Sequence, residues 1–333
     1  REVRVVLWVT QMVNRASFDM EAGGDIYDGP SPNYLEGKRC GYLVNGAETY
    51  YWWKGLGAGV DFFNPRALTW WHAQQAHLLD VVGIDGWKLD FGESYLPDPL
   101  RTAAGDRSLQ AYSEGYYRDF WVHGATKRPR DFVTMVRGYD KSYQFAGRFF
   151  ARPEHAPVIW AGDNTRDWAG LADALDHIFR SADRGYVVVG SDIGGYLDLH
   201  DVTQKAVPFD QDVFVRWVAL GAMCPFMQLH GRQNLTPWTV KPKTAESLAI
   251  YRYWSWLHEE LVPLWYSLAQ QAYAGGEGIV RPVGKLADWA GDYRFLVGQA
   301  FLVAPVLDGT GTRDIKLPAG ADWYDWWRPE LAA

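Results

Sequence analysis

Short apolar runs that end on a polar residue recur along the chain, separated by stretches long enough to hold helices. The first covers residues 3–10 and reads as a buried parallel strand. The second enters through Gly86-Trp87-Lys88-Leu89 and ends on Asp90, just before the turn Phe91-Gly92-Glu93. Further runs over 131–137, 158–163, 187–192 and 224–230 end on Arg137, Asp163, Asp192 and His230. Between them the pattern predicts helices over 66–82, introduced by Pro65, and over 108–123, 168–181 and 214–222. One long aromatic-rich helix is expected over 244–273. Residues 14–59 lack periodicity and are rich in Gly, Tyr and Asn. A long loop over the mouth of the sheet is expected there, with Trp52-Trp53-Lys54 placed to wall a pocket. Gly55 to Gly59 has neither a preceding strand nor the spacing of a dinucleotide loop. Short strands over 278–283, 293–297, 300–306 and 312–317 predict a separate β-rich unit.

Alternation along a strand puts Lys88 and Asp90 on one face and Trp87 and Leu89 on the other. Burying a Lys and an Asp costs free energy unless they pair or do chemistry. A nearby ammonium keeps Asp90 ionised, as a carboxylate nucleophile requires. A structural ion pair at a strand end is the plainer reading of this stretch alone. However, parallel strands with crossover helices bring all their C-terminal ends to one face. Asp90, Asp163 and Asp192 then share a mouth, and three such carboxylates favour a site over coincidence.

Composition narrows the class. The 333 residues suffice for one large domain and a smaller one, and 48% hydrophobic with 22% charged residues is globular. A net charge of -7 without a basic cluster disfavours nucleic acid as a partner. No apolar run reaches membrane-spanning length, so no membrane partner is expected. Cys40 and Cys224 cannot build a disulfide framework. The 18 Trp suit stacking on sugar rings, though most belong in the core. No signal peptide opens the chain, and a cytoplasmic setting is favoured. The natural N-terminus is expected to lie upstream of Arg1.

The stretches Lys88-Leu89-Asp90-Phe91-Gly92-Glu93, Trp160-Ala161-Gly162-Asp163-Asn164, Ser191-Asp192-Ile193-Gly194-Gly195-Tyr196 and Leu229-His230-Gly231 together resemble glycoside hydrolase family 31. The likeness runs from Arg4 to about Trp327. The KxDFGE form and the following Pro237-Trp238 are similar to the bacterial α-xylosidase and α-glucosidase branch. The resemblance implies an α/β fold, a (β/α)8 TIM-barrel over 1–277 that starts at its third strand, followed over 278–333 by the start of a C-terminal β-domain. It implies a retaining attack on an α-glucoside, α-xyloside or α-galactoside, with Asp90 as nucleophile and Asp163 as acid/base. Lys88, Arg137, Asp192 and His230 would bind sugar hydroxyls, with Trp160 and Tyr196 in the substrate pocket. Glu93 and Thr10 would stand behind them. Thr10 occupies a position where the family's α-glucosidases often carry Asp. The Gly138-Tyr139-Asp140 continuation departs from the family's usual small-residue run. No cofactor or metal is implied. The partner is an oligosaccharide or glycoside, and a homo-oligomer is compatible with the sequence.

Three rivals remain at this level. A metal-dependent hydrolase on a similar barrel would want an HxH pair, which none of the eight His forms. An inactive carbohydrate-binding relative explains the Trp but not the presence of both Asp90 and Asp163. A sulfoquinovosidase or an α-glucan lyase of the same family stays open.

Overall fold

The computed structural model describes residues 3–18, 30–144, 147–200, 202–232, 236–285 and 288–332. Its centre is a five-stranded parallel sheet in which spatial order follows chain order. The strands are Val6–Val9, Gly86–Leu89, Val133–Arg137, Val158–Trp160 and Val189–Gly190. Register aligns Val9 with Leu89 and Leu89 with Val136, and Trp160 with both Arg137 and Gly190. All C-terminal ends therefore point to one edge. The Asp192 backbone then bridges to Gln228, in parallel, but residues 224–230 form no strand. Pro225 lacks the N–H that a ladder needs.

Helix starts follow local capping. Asn64, Ser108, Asp167 and Asp210 accept backbone N–H bonds at the heads of the helices Pro65–Ala76, Leu109–Lys127, Trp168–Asp183 and Gln211–Ala222. The helix Pro65–Ala76 runs on through a π turn, His77–Val82, into Gly83. Helix Leu109–Lys127 buries Tyr112, Tyr116, Tyr117 and Phe120 completely, and Phe120 meets Trp87 edge-on at 6.1 Å. Among its described residues, the crossover from Val133–Arg137 to Val158–Trp160 carries no α-helix. It holds a two-residue ladder, Tyr139–Asp140 with Arg148–Phe149, and single 3-10 turns.

Three further sequence expectations change. Within 14–59 the chain folds into an antiparallel sheet of Met12–Ser17, Gly55–Gly59 and Tyr50–Trp52, with a helix at Pro32–Cys40. The Gly-rich strand Gly55–Gly59 offers almost no alternation to read. The expected helix over 244–273 is two helices, Thr244–Glu260 and Val262–Tyr273, because Pro263 cannot donate a helical bond. Residues 312–317 form no strand. The C-terminal sheet is Val280–Pro282, Phe295–Val297 and Phe301–Val303, followed by a hairpin of Tyr324–Asp325 with Arg328–Ala332. It packs on helix Trp168–Asp183, where Phe179 meets Trp289 at 5.5 Å and Phe295 at 5.6 Å.

Candidate active site

The strand Gly86–Leu89 buries Trp87 and Leu89 and leaves Lys88 and Asp90 half-buried at the mouth. Asp90 is held by three donors. Its Oδ1 accepts from Arg137 Nη2 at 3.0 Å and from the Phe91 N–H at 2.9 Å, and its Oδ2 accepts from Trp8 Nε1 at 2.9 Å. Arg137 closes the next strand. The same Nη2 donates to Asp163 Oδ1 at 3.1 Å, while Nη1 donates to Asp140 Oδ2 at 2.5 Å. The guanidinium is 1% exposed and lies between the Phe91 ring at 4.1 Å and the Trp160 ring at 5.0 Å. The Lys88 ammonium stands 4.5 Å over the same Trp160. Trp160 itself is 1% exposed, so it floors the two cations.

These neighbours separate the carboxyls. Burial alone pushes Asp90 up, but the Arg137 charge, the Trp8 indole N–H and the Lys88 charge together bring it below the usual range. Asp163 is also buried. There the Asp90 and Asp140 charges add to burial, Arg137 opposes, and the pKa rises to about 6. Tyr143 donates its hydroxyl to Asp163, and burial together with that charge pushes the phenol up. Asp192 rises to about 7, mainly through burial. Its Oδ1 accepts from Gln228 Nε2, while Oδ2 has no partner among the described residues. His230 presents an exposed side chain whose ring lies 5.2 Å from Tyr196. Loss of hydration against the packed protein and the Lys88 charge lower it to about 4.

Direct contacts thus join Lys88, Asp90, Arg137, Trp160 and Asp163, with Asp192 interacting through charge and His230 paired with Tyr196. Glu93 faces away. It is fully buried behind the site, where Oε1 accepts from Arg148 Nη2 at 2.9 Å and Ser113 Oγ at 2.8 Å. Thr10 is buried and donates to Gln11 Oε1 at 2.7 Å. Sequence reading missed Trp8, Asp140, Tyr143 and Gln228. Trp8 was the findable one, since it lies two residues before Thr10 on an apolar strand and pairs in register with Lys88. Trp53, which was read as a wall, meets Trp8 edge-on at 5.5 Å. Among the described residues, no cluster of three or more His, Cys, Asp or Glu could hold a metal ion.

The TIM-barrel domain of glycosyl hydrolases family 31 matches residues 1–268, and the C-terminal domain of that family matches 263–333. The chain belongs to glycosyl hydrolase family 31. Among its curated relatives is a 1,3-alpha-isomaltosidase of Kribbella flavida, 27% identical over 98% of this chain and 45% of its own length. An alpha-xylosidase of Emericella nidulans is 25% identical over 98% of this chain and 40% of its own length. A neutral alpha-glucosidase AB of Sus scrofa is 28% identical over 82% of this chain and 29% of its own. The chain spans less than half the length of these relatives. Its fold matches a cycloalternan-degrading enzyme from Trueperella pyogenes with TM-score 0.80 at 22% identity, over 99% of this chain and 47% of that one. It also matches a cycloalternan-forming enzyme from Listeria monocytogenes, solved with a pentasaccharide substrate, with TM-score 0.75 at 20% identity, over 97% of this chain and 30% of that one. Among the described residues the parallel sheet of the barrel has five strands and a bridge, and no helix is long and apolar enough to cross a membrane.

Proposed function

We propose that this protein is a retaining α-glycosidase, with Asp90 as nucleophile and Asp163 as acid/base. The observation that carries the reading is the single Arg137 nitrogen shared by the two carboxylates, whose pKa values move in opposite directions. Two oxygens that each lie about 3 Å from one nitrogen are at most about 6 Å apart, which accommodates the roughly 5–5.5 Å of a retaining pair. Ionised Asp90 attacks the anomeric carbon while Asp163 gives its proton to the departing oxygen. The glycosidic bond breaks and a β-linked ester forms. Asp163, now a carboxylate, takes a proton from water, and the water oxygen displaces Asp90 to give the α-sugar. Lys88, Arg137, Asp192 and His230 bind hydroxyls of the terminal sugar, Tyr196 walls the pocket and Trp160 floors it. Relatives named for α-glucosides, an α-xyloside and isomaltose support an α-linked glucose- or xylose-type unit.

The test uses the whole protein and an aryl α-glycoside with a good leaving group. Asp163→Ala still forms the covalent ester, since such a group needs little protonation, but it lacks the base for hydrolysis. Azide needs no base, so it restores turnover by roughly 10²-fold and enters opposite the β-linked ester to give the α-glycosyl azide. Asp90→Ala gives no α-azide. β-Azide from Asp163→Ala would reverse the two roles, and rescue of neither variant would sink the glycosidase reading.

A further inference from the structure

The sequence feature that departs from the family run, Gly138-Tyr139-Asp140, places a third carboxylate against Arg137. Asp140 is 0% exposed. Its Oδ2 accepts from Arg137 Nη1 at 2.5 Å, and its Oδ1 accepts from the Ser142 N–H at 2.7 Å and from Ser142 Oγ at 2.6 Å. Gly162, on the next strand's turn, leaves room for it: a Cβ there would fall 2.3–2.5 Å from the Asp140 carboxyl atoms. A buried carboxylate with this many donors is committed to one place. Without it, a planar guanidinium could fork across Asp90 and Asp163, one nitrogen each.

We propose that Asp140 is a positioning residue of this site. It holds one edge of Arg137, so that the single nitrogen Nη2 serves both Asp90 and Asp163. The inference rests on the roles assigned to those two carboxylates. Its electrostatic consequence follows from where the charges stand. Facing Asp163 are Arg137 and Asp140, Tyr143 from the turn beyond them, Asp90 and Lys88 from the strand on the far side of Arg137's, and Asp192 from the other side. His177, from helix Trp168–Asp183, faces Asp140 at 3.7 Å. Asp140 takes up part of the Arg137 charge and adds a negative field of its own. Asp163 therefore keeps a proton to donate while Asp90 stays ionised.

Asp140→Asn keeps the shape and removes the charge. Loss of that charge lowers the Asp163 pKa, so the basic limb of kcat/KM against pH moves to lower pH by about half a unit or more. The acidic limb, set by Asp90 against Arg137 and Trp8, moves less. Asp140→Ser, smaller in the same space, serves where Asn disturbs the fold, and thermal unfolding reports which variant is intact. A folded variant whose limbs stay in place, whatever its kcat, would overturn the inference, because a purely structural role moves no limb. Azide rescue of Asp163→Ala alongside an unmoved Asp140→Asn profile would overturn the positioning role alone. Failure of the rescue would instead remove the assignment beneath it.

Discussion

At the scale of single residues, the site works by dividing a small number of positive charges among more carboxylates than they can neutralise. Arg137 touches Asp90, Asp140 and Asp163, and Lys88 acts on Asp90 across space. The contact cation of Asp90 is thus Arg137, with Lys88 third after the Trp8 indole among the groups that hold it down. This ranking gives a prediction. In the proposed mechanism Asp90 must be ionised to attack, so anything that raises its pKa moves the acidic limb of kcat/KM to higher pH. Trp8→Phe removes a 2.9 Å donor and keeps an aromatic ring, whereas Lys88→Met removes a more distant charge. Both limbs should rise, and Trp8→Phe should rise further. A pH profile of Trp8→Phe that overlays the parent would remove the indole from the reaction. Trp8 escaped the sequence reading because an aromatic residue within an apolar strand looks like core, although its side of the strand carries Asp90's neighbour Lys88 in register.

At the scale of elements, strand ends supply the carboxylates and the turns after them set their distances. The turn Ala161-Gly162-Asp163 shows this. Gly162 has φ +80°, in the left-handed region, and its Cα packs against the Asp140 carboxyl. Gly162→Ala adds both backbone strain and a clash with a committed ion pair. It should cost roughly 1–3 kcal/mol in stability and at least about 10²-fold in kcat, as Asp163 and Arg137 shift apart. Gly185→Ala is the control. It has φ +100° but open space around the new methyl, so it should lose stability and keep kcat. Equal losses of activity in the two variants would show that the turn's contact with Asp140 does not matter. Strand-end carboxylates were legible because an apolar run that stops on Asp is a pattern of period and position. Asp140 was not, because it lies in an irregular crossover whose described residues form only short turns and a two-residue ladder, with no alternation. The sheet over Met12–Ser17 and Gly55–Gly59 was hidden for the related reason that glycines carry no polarity to alternate.

At the scale of the whole molecule, gathering acidic groups at one buried mouth trades stability for chemistry, and the trade depends on pH. Asp163 at about 6 and Asp192 at about 7 both lie above the value of an unfolded carboxyl, near 3.9. For such groups the folded state binds the proton more tightly than the unfolded one. Their contribution is fully present below the unfolded pKa and is lost as pH rises through the folded pKa. The protein should therefore weaken between about pH 4 and pH 7 from these two sites, while Asp90, whose pKa is lowered, contributes in the opposite sense below that window. Asp192 is the cleaner probe. It is 1% exposed, has one unpartnered oxygen among the described residues, and sits apart from Arg137's direct contacts. Its raised pKa corresponds to a cost of roughly 4 kcal/mol for holding it ionised at alkaline pH. Asp192→Asn removes that cost and leaves an amide oxygen to accept from Gln228. The variant should gain stability over the parent at pH 8 and gain little or none at pH 5, as read from denaturant unfolding at the two pH values. An equal difference at both would mean that Asp192 is not protonated in the folded state near neutrality. The same measurement bears on binding. If Asp192 reads a sugar hydroxyl, as proposed, it becomes cheaper to ionise once that hydroxyl donates to it, so ligand-induced stabilisation should grow from pH 5 to pH 8 in the parent and stay flat in Asp192→Asn.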